Sequence, residues 1–151
     1  MIKIVVAGLF PVIHAAANPT STPSKQRAIQ CRVSAFVQRY EAATLKLISF
    51  EAVRTDAFDV SPLPHEPAKS ISVSGARGPV GVADVWTGTL ADQENGEVIQ
   101  AHASFTIEGV SGRASLVMAV ASPMAKSIVE KSKEVGSEMV VIPVELKCQS
   151  N

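Results

Sequence analysis

An excess of charge of either sign is the first thing this sequence lacks. Lys and Arg number 14, Asp and Glu number 14, and the formal net charge is zero. Nucleic-acid binders draw affinity from neutralised phosphates and carry a basic excess or stripe, so the balance argues against nucleic acid as a partner. Aromatic residues make up 5%, with one Trp (Trp86) and one Tyr (Tyr40). That is few for a surface built on stacking platforms. Cysteine is confined to Cys31 and Cys148, and no C-x-x-C, H-x-x-x-H or H-E-x-x-H spacing occurs. No metal site is therefore expected. The glycine-rich stretch Gly75-Ala-Arg77-Gly78-Pro-Val-Gly81 lacks the Gly-Lys-Ser/Thr ending of a phosphate loop and leads into an alternating strand pattern. A turn between strands is the better reading, and no cofactor is expected. No apolar run approaches the roughly 20 residues of a membrane-spanning helix.

What is present is a chain of 151 residues, 46% hydrophobic, enough for one domain with a real core. Lys3 is followed by an almost unbroken apolar run over 4–13 and then by His14-Ala15-Ala16-Ala17. A basic start, an apolar stretch and an A-x-A exit are the parts of a secretory signal. The expected organisation is a signal peptide at 1–17, a flexible Pro-rich leader at 18–26 and a single β-rich domain at 27–149. Residues 3–8 also resemble a buried first strand of an α/β domain, but Gly8 opens no G-x-G-x-x-G turn. Secretion to the periplasm or the exterior is the expectation.

The cysteines fit that compartment. Ile29, Cys31, Val33, Ala35 and Val37 alternate with Gln30, Arg32, Ser34, Phe36 and Gln38. Val140, Ile142, Val144, Leu146 and Cys148 alternate with more polar neighbours in the same way. Period two puts each apolar set on one face of a strand, so both sulfurs point into the core, where an oxidising compartment lets them join. Gln30 fits poorly as the small residue wanted before a lipidated cysteine, which speaks against a lipid on Cys31.

Period two dominates beyond residue 26. Strands are expected over 28–38, 44–53, 69–74, 82–91, 98–108, 113–121 and 138–148. Within 44–53 the apolar phase changes from Leu45 and Leu47 to Ile48 and Phe50, the signature of a bulge, although 40–48 also has helical propensity. Residues 82–121 read as a three-strand meander, with Asn95-Gly96 as a hairpin signal and Gly109-Val-Ser-Gly112 as the second turn. Residues 54–67, with Pro62, Pro64 and Pro67, read as a long irregular connection, and 75–81 as another loop. One helix is expected over 122–135, capped by Ser122, begun by Pro123 and ended by Gly136. Pro143 cannot donate to a ladder, so the last strand should be an edge or bulged there. The expected fold is a β-sandwich or curled antiparallel sheet of about seven strands, with one helix before the last.

Of the histidines beyond the leader, His65 lies in the Pro-rich segment. His102 shares a polar strand face with Ser104, and no third group is spaced to orient it. The expected function is a non-catalytic protein-binding module of the cell envelope: an inhibitor, an immunity factor or an assembly or chaperone-like factor. Its partner would be another envelope or extracellular protein. Loops on a rigid scaffold are where partners attach, which makes Arg77, Asp56, Asp59, His65 and Glu66 the candidate binding residues. One alternative is a carrier of a small apolar ligand between sheet and helix, in space left by Ala101, Ala103 and Ala114. The other is a hydrolase using His102.

Overall fold

Strand follows strand along the whole of the described chain. The computed structural model describes residues 29–60, 68–88, 91–93, 96–119 and 124–150. They form β1 (Ile29–Glu41), β2 (Leu47–Arg54), β3 (Phe58–Val60), β4 (Lys69–Gly75), β5 (Gly78–Thr87), β6 (Ala91–Gln93), β7 (Gly96–Ile107), β8 (Val110–Ala119), β9 (Met124–Val135) and β10 (Glu138–Ser150). Every pairing is antiparallel. β1 carries β2 and β3 end to end along one edge and β10 along the other, and β9 flanks β10. β7 likewise carries β5 and β6 on one edge and β8 on the other, and β4 joins β5 to β2. β8 and β9 come side by side, so the sheet curls into a nearly closed barrel.

The alternating residues of β1 and β10 form the inner wall. Cys31, Val33, Ala35 and Val37 are buried, as are Val140, Ile142, Val144, Leu146 and Cys148. Facing them are Ala83, Val85, Ile99, Ala101, Ala103, Phe105, Leu116 and Met118. Each fully buried Leu, Ile or Phe contributes about 1.5–3 kcal/mol relative to exposure. Cys31 and Cys148 stand directly opposite in the register and are joined in a disulfide, with Cα atoms 4.1 Å apart. Buried Thr55 ties the gap between β2 and β3 back to β1. Its N–H donates to the Val33 carbonyl (2.8 Å), and its Oγ1 accepts from the Val33 N–H (3.0 Å).

Several expectations are corrected. The helix at 122–135 is instead strand β9, paired with β10 from Met124 opposite Gln149 to Val135 opposite Glu138. The glycine expected to end the helix makes the hairpin: Gly136 has φ +62°, the left-handed backbone that a two-residue turn needs as much as a helix end does. Three strands beyond the seven expected are β3 within the 54–67 connection, β6 split from β5, and β9 itself. Residues 75–81 are a two-residue turn, Ala76-Arg77, between paired Gly75 and Gly78, with β5 already running through Gly81. The second meander turn is Glu108-Gly109, both at positive φ, and not 109–112. β10 is an interior strand. Opposite Pro143 the β1 ladder is interrupted between the Ala35–Val144 and Gln38–Val141 pairs and resumes in the same register, without a bulge. β2 does carry the bulge, where Ile48 falls between the Arg39–Ser49 and Tyr40–Leu47 pairs. The expected leader, 1–26, lies outside the described residues.

Candidate groove on the outer sheet face

Outward residues of β1, β2, β9 and β10 should face water, yet several are apolar. Phe36 and Phe50 stack with ring centroids 4.9 Å apart and are 45% and 55% exposed; Ile128 is 62% exposed. Phe36 and Ile128 line a groove of about 890 Å³ that crosses the outside of the sheet. Register explains its walls. Arg54 on β2 stands opposite Ser34 on β1, Ser34 opposite Glu145 on β10, and Glu145 opposite Ile128 on β9. One step along the strands the row is Ala52 and Phe36, then Pro143.

The far side is closed by Ser74, Gly75 and Ala76 at the end of β4. β2 and β4 share a single pair, Arg54 with Ser74, and Glu51 on β2 holds the turn: its Oε1 accepts the Ala76 N–H at 3.1 Å. Small side chains (Ser34, Ala52, Ser74, Ala76) leave the depth, and Phe36 and Ile128 supply the apolar surface. Arg54, Asp56 and Glu145 place charges around it, and Lys126 approaches Glu145 at 3.9 Å.

Of the residues expected to bind, Asp56 lines this groove. Arg77 is exposed in the turn beside Ala76, a neighbour of the groove but not among its lining residues. Asp59 sits apart on β3, where its Oδ1 accepts from Gln30 Nε2 at 3.2 Å. His65 and Glu66 lie outside the described residues. His102 stacks on Trp86 across β5 and β7, with centroids 5.5 Å apart, on a different part of the barrel. Asp84, on the same strand as Trp86, accepts a hydrogen bond from the Ser70 hydroxyl. Among the described residues no three His, Cys, Asp or Glu side chains gather as metal ligands.

The carrier site expected between sheet and helix is not formed, because the helix is a strand and Ala101, Ala103 and Ala114 are buried core. Comparison with protein-family models, curated proteins and solved structures finds no match for this chain. Ser34, Phe36, Ala52, Arg54, Ile128, Pro143 and Glu145 were not among the sequence candidates. The signal available was Phe36 itself, an aromatic on the otherwise polar face of a strand.

Proposed function

We propose that this protein is an exported, non-catalytic module of the cell envelope that binds another protein through the outer face of β2, β1, β10 and β9. The observation that carries the reading is the groove with its exposed Phe36–Phe50 stack. Exposed apolar surface rimmed by polar groups marks interaction sites in stable proteins, and buried aromatic anchors dominate interface energies. Export is supported by the Cys31–Cys148 disulfide, a bond that persists in oxidising compartments.

The test is affinity capture from the envelope fraction of the native host, comparing the wild type with Phe36→Asp and with Val117→Asp. Val117 is 63% exposed on β8, away from the groove. One partner should be retained in near-stoichiometric yield by the wild type and Val117→Asp and lost with Phe36→Asp. Equal retention by all three, or retention by none, defeats the reading.

The groove's volume also lies within the roughly 300–1,000 Å³ of small-molecule sites, which favours a second reading as a carrier of a small apolar ligand, now on the outer face. Native mass spectrometry of the protein from its host separates the two: a bound species of a few hundred daltons, displaced by Phe36→Asp, would support the carrier.

A further inference from the structure

The register assembles a feature that the neutral composition conceals. Arg32 on β1 stands directly opposite Lys147 on β10, and Lys147 directly opposite Lys126 on β9. All three are exposed on the outer face, one row from Arg54, Ser34, Glu145 and Ile128. Like charges facing one another across strands destabilise a sheet, and among the described residues only Lys126 of the three has a carboxylate near it, Glu145 at 3.9 Å. Beyond the row containing Arg54 come Ala52, Phe36 and Pro143, with Glu130 at the β9 end, and then Phe50, Gln38 and Val141, with Ser132 on β9. Cations therefore give way to apolar surface along the strand direction, with each row about 7 Å, or two extended residues, from the last.

The geometry points to a partner segment, laid along these strands, in which acidic residues stand two to four positions from an aromatic or aliphatic pair. The acids would meet the row of Arg32, Lys147 and Lys126 where the segment crosses it, and the apolar pair would fill the groove beside Phe36. This deepens the protein-binding reading and rests on it. A polypeptide fits better than an acyl chain or a membrane surface, because the carboxylate of Glu145 lies in the groove lining itself. Hydrocarbon pressed against it would leave it unsolvated, whereas backbone N–H groups can donate to it.

The test uses the intact disulfide-bonded protein and fluorescently labelled 12-residue peptides read by polarisation. One peptide carries Asp-Glu-Asp two residues before Phe-Leu; the others replace the acids with Ser, the acids with Lys, or Phe-Leu with Ser. Vesicles of phosphatidylglycerol and of phosphatidylcholine are run beside them. The acidic–aromatic peptide should bind at least ~10-fold more tightly than the other three and weaken as salt rises, since exposed charges are screened. The Arg32→Glu, Lys147→Glu double variant should lose at least ~10-fold of that affinity, while Lys69→Glu, on exposed β4, keeps it. Unchanged melting temperatures would show that all variants fold. No preference among the peptides, indifference to the double reversal, or binding to phosphatidylglycerol vesicles in place of peptide would each overturn the proposal. An envelope partner lost with Phe36→Asp but kept by the double reversal would leave protein binding standing and remove the acidic segment.

Discussion

Gly81 has no room for a side chain. A Cβ built there falls 2.1 Å from the Thr106 carbonyl oxygen and 2.9 Å from Ile107 Cα, both backbone atoms of the neighbouring strand. A glycine that in sequence belongs to a phosphate-like loop is thus a packing requirement within β5. Gly81→Ala should cost about 2–3 kcal/mol by forcing β5 and β7 apart, read from the urea midpoint; a cost under about 0.5 kcal/mol would show that the strands yield freely. Thr55 makes a second residue-scale case. Thr55→Val keeps the shape but leaves the buried Val33 N–H without its hydroxyl acceptor, at a cost of about 1–3 kcal/mol. Thr55→Ser, which restores the oxygen, should recover most of the loss; equal destabilisation by both would point to lost packing instead.

At the scale of elements, Gly136 holds the β9–β10 hairpin at φ +62°. Gly136→Ala should destabilise by about 1–2 kcal/mol, since a Cβ disfavours the left-handed region; an unchanged thermal midpoint would contradict this. The same residue shows why sequence reading succeeded in one place and failed in another. Five alternating positions on each of β1 and β10 fix strand, face and core without ambiguity, and the phase change at Ile48 located a bulge. In β9 the terminators suit a helix and a hairpin equally; Lys126, Glu130 and Glu134 satisfy either period, while Lys131 and Lys133 fall on the opposite strand face, which is also exposed over 131–135. What decided the matter was a full-length ladder with β10, a tertiary effect that local propensity does not contain. The groove was less legible still. Ser34, Arg54, Ile128 and Glu145 come from four strands, and only their register makes them neighbours; the facing Arg32, Lys147 and Lys126 are hidden in the same way.

The whole molecule is organised around one long-range closure, with Ile29 opposite Ser150 and Cys31 bonded to Cys148 across a sequence separation of 117. In the chain-entropy account a loop of that size contributes roughly 5 kcal/mol by restricting the unfolded ensemble. Paired Cys31→Ala and Cys148→Ala substitutions should lower unfolding stability by about that much, a large share of the roughly 5–15 kcal/mol of an ordinary domain. A loss below about 1 kcal/mol in denaturant titration would show that the strand ladder suffices without the bond. The pairing of first strand with last also sets a timetable. For a chain delivered N-terminus first, from a ribosome or a translocation pore, β1 waits for β10 until the eight strands between them have emerged. Throughout that interval one edge of β1 lacks the strand that will pair with it, and the Cys31 thiol can meet any oxidant or stray thiol before its own mate arrives. Completion of the barrel therefore waits for β10, and a chain truncated before it is left with a bare seam along the open edge of β1.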